Sequence, residues 1–342
     1  MRVLVLNLGR LADVVQMLPA FTDVKNHYAH AVIDTIVDER WGEIPHWHPA
    51  VGNVFTVPVK RWRQSLFTLS MLSSEESKRL RRQLRKFNYD WVIDLNGGWL
   101  TAGYVRSIHS ASAGFSSANN KKRASSVLYN YRQPEEKYLH WVEQVRHLFS
   151  GCLSYSRPKQ LADYGLESCS FNTSAKGGSV CLMLGARDTS RRMPIKEARG
   201  LIGQLADTGL CTRLVWRDRN SGDYVRSVSD GSAAEFLPRL KLSGIASVLA
   251  DAKAVISVDN ELSHLAAALG VPMVRLQKSD ADTIHTAYGG HQSEIISQHG
   301  DWSPGVIVDQ LQQLLKPESA DNRQAQQPVL AQESAGSHRS RL

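Results

Sequence analysis

The sequence predicts an α/β protein built from two doubly wound, parallel-sheet halves, and three observations carry this. Apolar runs such as Val3–Leu6 and Val180–Leu184 lack polar alternation, as strands covered on both faces require. The runs alternate with helix-length segments, the pattern of βαβ units. The alternation stops over residues 156–178, rich in Pro, Gly, Ser and Lys, and then restarts, which marks a boundary. The expected domains are therefore 1–155 and 179–315, joined by a linker over 156–178. Residues 316–342, rich in Gln, Ser, Ala and Pro, read as a disordered tail.

In chain order, Val3–Leu6 is a strand, Gly9 permits a tight turn, and one helix runs from about Ala12 to Tyr28. Asp13 stands at its start. There it either caps orphan amides or faces a ligand, because ligands collect at the carboxyl ends of such strands. Strands follow at Val32–Val37 and Val54–Val57. Glu75–Phe87 reads as a surface helix, acids first and bases last. Asp90–Leu95 is a buried strand that ends in the loop Asn96-Gly97-Gly98. Ser107–Arg132 reads as a mobile loop and Tyr138–Leu153 as a helix. In the second half, Val180–Leu184 is a strand, Gly185–Arg192 a loop, and Pro194 opens a helix to Asp207. Thr212–Trp216 is a strand. Ser243 caps a helix to Ala250. Ala254–Ser257 and Met273–Leu276 are strands on either side of a helix over Glu261–Leu269.

At 342 residues, 42% hydrophobic and 22% charged, the chain has the make-up of a globular protein of two domains. No apolar run reaches the roughly 18 residues that span a membrane, and the start lacks a secretory-signal pattern. Cys152, Cys169, Cys181 and Cys211 form no CxxC pair, which argues against zinc ribbons and disulfide frameworks and fits a reducing cytoplasm. The net charge of +8 is concentrated: residues 51–150 hold 16 Lys/Arg against 7 Asp/Glu. Such an excess suits an anionic partner: nucleic acid, anionic lipid or a phosphorylated substrate.

Besides Asp13, three stretches could carry chemistry. Val258-Asp259-Asn260-Glu261-Leu262-Ser263-His264 joins a strand to an alanine-rich helix, and a helix amino terminus can cradle a diphosphate. The plain alternative is a helix start capped by Asp259 or Asn260. Lys60-Arg61-Trp62-Arg63 sets three cations around an aromatic, which suits phosphate; the alternative is a solvated loop. Asp188-Thr189-Ser190-Arg191-Arg192 is a basic loop from which an arginine could neutralise a leaving diphosphate. His46 and His48, flanked by Pro45 and Pro49, read as a surface loop without a third metal ligand.

Together these stretches resemble the bacterial ADP-heptose:lipopolysaccharide heptosyltransferases of inverting glycosyltransferase family 9, most closely the heptosyltransferase I type. The resemblance covers nearly all of residues 1–315. It is carried by Asp13-Val14 with Leu18-Pro19-Ala20 and by Lys60-Arg61-Trp62-Arg63. It is carried also by Asn88-Tyr89-Asp90 with Val92-Ile93-Asp94 and Gly97, and by Val258-Asp259 with Leu262-Ser263-His264-Leu265 and Ala267-Ala268-Leu269. It implies a GT-B architecture: two Rossmann-like domains, an N-terminal one for the acceptor and a C-terminal one for the nucleotide sugar, with the cleft between them. It implies heptose transfer from an ADP-sugar to a Kdo residue of a Kdo-lipid A type acceptor, with no metal and no cofactor. Asp13 is then the general base, and Arg191 stands where the family has a catalytic lysine. Asp259, Asn260, Glu261, Leu262, Ser263, His264 and Asp223 would bind the donor, Asp223 at its ribose. Lys60, Arg61, Arg63, Lys121, Lys122 and Arg123 would bind the acceptor. A cytoplasmic enzyme, peripheral on the anionic inner face of the inner membrane and with no nucleic-acid partner, is implied.

The chain departs from the family pattern at the donor site. Asn260-Glu261 replaces the usual Thr-Gly, adding a negative charge; Leu11-Ala12 replaces Met-Gly; Gln277–Asp282 replaces a Gly-Pro-Thr-Asp-Pro turn. These departures motivate an alternative reading: a non-catalytic or altered-donor paralogue that binds an anionic glycolipid.

Overall fold

The computed structural model of the chain describes residues 1–64, 74–116, 124–136, 138–166, 171, 178–186, 188–278, 283–297 and 302–316. Lys121, Lys122 and Arg123, the side chain of Arg63, part of the expected linker and all but the first residue of the expected tail lie outside the described residues.

The first half holds β1 (Arg2–Asn7), β2 (Val32–Asp38), β3 (Val51–Val57), β4 (Trp91–Asp94), β5 (Ala111–Ser116) and β6 (Tyr131–Pro134). They form one parallel sheet in the order β3-β2-β1-β4-β5-β6. The second half holds β7 (Ser179–Met183), β8 (Cys211–Leu214), β9 (Glu235–Phe236), β10 (Ala254–Val258), β11 (Met273–Lys278) and β12 (Gln292–Ser297). Its parallel order, β12-β11-β10-β7-β8-β9, is the same winding. Strand order therefore reverses between β1 and β4, and again between β7 and β10. Such switch points open crevices at the carboxyl ends of the strands. The loops that leave them, after β1, β4, β7 and β10, carry Asp13, Asn96, Arg191 and Asp259. The apolar strand runs are covered on both faces: every residue of β7 and β10 is buried.

The structure corrects several local expectations. The helix expected over 12–28 is two, α1 (Leu11–Gln16) and α2 (Leu18–His27). Pro19 has no N–H to continue the ladder. The loop expected over 107–132 contains β5 and the start of β6. β5 escapes notice because it is small-residued, and it must be: a Cβ on Gly114 would overlap the Tyr129 ring, whose hydroxyl donates to buried Asp94 at 2.7 Å. Ser243 is not a cap. The helix starts at Leu242 behind Lys241, and the Ser243 amide donates to Glu43 Oε2 of the other half at 3.1 Å. Among the described residues no helix is long and apolar enough to cross a membrane.

The two halves share one apolar cluster, in which α1 packs against the helix after β10, so Leu11 and Val14, with Leu18 at the start of α2, join Leu262, Leu265 and Ala266. Polar contacts reinforce the seam. The Thr286 carbonyl accepts from Gln16 Nε2 at 2.9 Å and pairs with His140 Nε2 at 3.1 Å. The Tyr164 hydroxyl donates to the Tyr288 carbonyl at 2.7 Å.

His48, expected on a surface loop, is buried and bonds Thr22 Oγ1 through Nε2 at 2.9 Å. Burial pushes its pKa down from 6.5 to about 4. The folded chain thus keeps it neutral while the unfolded chain takes a proton. Its contribution to stability is complete above pH 6.5 and is lost as pH falls towards 4. His48→Gln is therefore expected to lessen the acid-side loss by up to about 3 kcal/mol, read from urea unfolding midpoints at pH 7 and pH 4.

Candidate active site

On the first half, β1 runs into the turn Leu8–Arg10, which two asparagines fix. The Asn7 side chain accepts from the Gly9 amide at 3.2 Å and donates to the Asp13 carbonyl at 2.9 Å. Asn96, from the loop after β4, accepts from the Leu8 amide. Asn96 is held in turn by Asp94 Oδ1, which accepts from the Asn96 and Gly97 amides at 2.9 and 3.0 Å. Burial pushes the Asp94 carboxyl up, against these bonds and those from Thr101 and Tyr129. The strand-and-loop motif around Asp94 thus acts as a bracket for the turn that bears Asp13.

Asp13 is the third residue of α1, and its Oδ2 accepts from the Arg10 amide at 2.7 Å. The capping expectation is therefore met. Yet the side chain is 24% exposed, and among the described residues Oδ1 carries no hydrogen bond. One carboxylate oxygen is spent on the helix and the other is open. Gly9 makes the arrangement possible, since a Cβ there would overlap the Asp13 carboxylate.

On the second half, β7 leads to the short 3-10 turn Thr189–Arg191. Asp188 caps it, accepting from the Ser190 amide and hydroxyl at 3.0 and 2.8 Å; these bonds hold the Asp188 carboxyl below its usual range. Arg191 Nη1 lies 2.6 Å from Asp259 Oδ2, so two residues 68 apart in sequence meet at the switch point. Asn260 caps the helix Glu261–Ala268: Oδ1 accepts from the Leu262 and Ser263 amides at 2.8 and 3.3 Å, and Nδ2 donates to the Met183 carbonyl at 3.0 Å. The plain reading of this helix start is the one the structure supports, because the amides expected to cradle a diphosphate are occupied by Asn260. Glu261 turns to Arg217, Oε2 to Nη2 3.6 Å. His264 is buried, with Nδ1 unpartnered among the described residues. Burial, with His140, Arg10, Arg275 and His285 nearby, lowers its pKa to about 3, so it is a neutral imidazole.

Between the two halves lies a cavity of about 570 Å³. Arg10 of the turn and Ala12 of α1, on the near side of Asp13 in the chain, form one wall; Asp13 itself lies beside the lining and not in it. Asp188, Arg191, Asp259, Asn260, Glu261, Leu262 and His264 form the other, with Val215–Asp218 and Ser221 at the end of β8, and His285 beside them. Of the expected donor residues, Ser263 is buried and bonds the Asn260 carbonyl instead of lining the cavity. Asp223 is exposed on the helix Arg219–Ser229 and does not line it. The carboxylate at that place is Asp218, the cap of the helix, which accepts from the Ser221 amide at 3.1 Å. Sequence reasoning missed Asp218 because the helix it starts was not foreseen. Its first turn is polar, and the missing side chain of Gly222 there admits the Trp216 ring.

The basic segment after β3 is also rearranged. It is a short helix, Val59–Gln64, in which Trp62 is buried in the core while Lys60 and Arg61 are exposed. Trp62 therefore packs under the cations and offers no face to a phosphate. Arg61 lies 3.9 Å from Glu39 and 3.8 Å from Glu76. Lys60 and Arg61 sit on the same carboxyl edge of the sheet as the Asp13 turn, outside the cavity lining.

Residues 77–306 match the model of glycosyltransferase family 9 (heptosyltransferase). The chain is 35% identical over 297 residues to lipopolysaccharide heptosyltransferase 1 of Escherichia coli K12, covering 85% of this chain and 92% of that one. It is 34% identical over 298 residues to its namesake from Pseudomonas aeruginosa, covering 85% and 82%. The structure of E. coli heptosyltransferase WaaC with ADP superposes with a TM-score of 0.83 at 30% identity, over 92% of this chain and 100% of that one. E. coli heptosyltransferase II, at 18% identity, shares the fold with a TM-score of 0.73 over 92% and 98%. The architecture is thus the GT-B arrangement of two parallel-sheet α/β domains. The chain belongs to glycosyltransferase family 9, the heptosyltransferases, and is a glycosyltransferase.

Proposed function

We propose that this protein transfers a heptose, with inversion, from an ADP-sugar to a Kdo residue of the lipopolysaccharide inner core, with Asp13 as general base. The observation that carries the reading is the cavity at the paired switch points, with the Asp13 turn on one wall and the Arg191–Asp259 pair on the other. The acceptor hydroxyl oxygen attacks the anomeric carbon as the bond from that carbon to the diphosphate oxygen breaks. The hydroxyl proton passes to the open Asp13 oxygen, and ADP leaves with the charge. Arg191 would turn from Asp259 to the departing diphosphate and stabilise it there. Asp218 and Trp216 offer a carboxylate and an indole for the nucleoside, and neutral His264 offers a ring nitrogen to the donor. Lys60, Arg61 and Arg63, with Lys121, Lys122 and Arg123, would take the acceptor's anionic groups. This places the basic face of the domain 1–155 against the anionic cytoplasmic side of the inner membrane, and the donor on the domain 179–315. The identity to heptosyltransferase 1 supports the heptose and the lipopolysaccharide acceptor, and WaaC with ADP supports the nucleotide.

The test is mass spectrometry of Kdo-lipid A incubated with the protein and ADP-heptose. A heptose-sized mass gain is expected. No gain from a folded protein that binds ADP would move the reading to another donor, and no ADP binding would favour a non-catalytic paralogue. Within this reading Gly9→Ala is expected to slow turnover on the order of 10²-fold, because its methyl displaces the Asp13 carboxylate. ADP affinity by calorimetry should be unchanged.

A further inference from the structure

Glu261 is the charge that an anionic donor would be expected to reject. Its carboxylate lies in the cavity wall, one third exposed, at the start of the helix that follows β10. Among the described residues that lining holds three arginines against four carboxylates, a poor balance for a diphosphate. The Glu261 carboxylate has a partner, however. Arg217 leaves the end of β8, reaches Glu261 at 3.6 Å and lies in the same lining. Its guanidinium is seated 4.4 Å over the ring of Trp41, which is buried in the first half. A guanidinium stacked on an indole is held in place while its charge stays available. The bridge Trp41–Arg217–Glu261 thus crosses the seam at the cavity.

We propose that Arg217 is the counter-charge that lets this cavity accept a nucleoside diphosphate in the presence of Glu261, and that the two residues act as one specificity-determining unit. The proposal rests on the donor reading above. With the pair intact, the site presents a neutral dipole to the diphosphate. Without Arg217, the Glu261 carboxylate faces the diphosphate with its close partner gone and only the more distant Arg40, whose pKa its charge helps to raise, left to screen it. Because Arg217 is seated on the opposite half, the neutralised state belongs to the closed seam, which ties nucleotide affinity to the approach of the two domains.

A double-mutant cycle read by calorimetry with ADP tests it. Arg217→Ala should weaken ADP binding about tenfold, the effect of one unit charge nearby in a half-solvated site. Glu261→Gln alone should leave binding equal or tighter. Arg217→Ala with Glu261→Gln should return to near wild-type affinity, a rescue that a merely structural arginine would not show. The Arg217→Ala penalty should also shrink as salt is raised. If the double variant stays as weak as Arg217→Ala while the wild type binds ADP, the compensating role is overturned and the donor reading stands. If the wild type does not bind ADP, both fall.

Discussion

Asp13→Asn is expected to lower turnover by about 10²–10⁴-fold, with folding and ADP affinity unchanged. The substitution is chosen for what it preserves. The Asn side chain keeps an oxygen to accept from the Arg10 amide, the bond that Asp13 Oδ2 makes at 2.7 Å. The helix start and the turn held by Asn7 and Asn96 should therefore survive. What is removed is proton affinity at the open oxygen. Asp13→Ala would remove the cap as well, at about 1 kcal/mol, and so mix a structural loss with a chemical one. The readout is kcat from the transfer assay beside the ADP dissociation constant. A kcat within a few-fold of wild type would assign the proton to another group; a loss of ADP binding would mean that the seam had moved.

The parts legible in sequence were those fixed by short-range physics. The continuous apolar strands, the helix between β10 and β11, and the loops at strand ends follow from composition and order, so Asp13, Arg191 and Asp259 could be placed before any coordinates. What was hidden depends on contacts far apart in the chain. β5 looks like a loop because Gly114 must stay small under Tyr129, a residue 15 positions on. Asp218 escapes notice, and Asp223 stands in its place, because the helix Arg219–Ser229 opens on five residues without an apolar side chain and its buried Tyr224, Val225 and Val228 come only later. Trp62, in a basic tetrad, reads as a ligand platform until the core that swallows it is known. Glu261 looks like a defect until Arg217, 44 residues earlier, is found beside it.

Arg146→Met is expected to cost about 3–5 kcal/mol of stability, the largest loss expected of any single side chain here. Arg146 is 2% exposed at the side chain. Its Nε and Nη2 bond Asp23 at 2.7 and 3.1 Å, and Nη1 bonds Glu143 at 2.9 Å and the Gln160 carbonyl at 3.2 Å. One guanidinium therefore ties α2, the helix Trp141–Leu153 and the start of the segment that crosses to the second half. Glu143 also accepts from the Tyr288 hydroxyl at 3.2 Å, which carries the network across the seam. Methionine fills the volume but leaves Asp23 without its cation, while Glu143 keeps Arg157 at 3.6 Å. Burial already raises the Asp23 pKa with Arg146 present; without it the carboxyl should rise further. A carboxyl whose folded pKa is raised destabilises the fold once pH passes its unfolded value, and fully above the folded pKa. The deficit of Arg146→Met should therefore be complete at pH 8 and shrink towards pH 5, and Asp23→Asn in the same chain should recover part of it. Urea unfolding at the two pH values measures this. A deficit that does not change with pH, and that Asp23→Asn leaves in place, would mean that Arg146 matters for its packing and its carbonyl bonds instead of its charge. Because Arg146 also holds the Pro158 and Gln160 carbonyls, at the start of the segment between β6 and β7 that leads into the second sheet, the folded fraction of Arg146→Met should also show a raised KM for the donor before any fall in kcat, as a loosened cleft binds less well while its reacting groups stay in place.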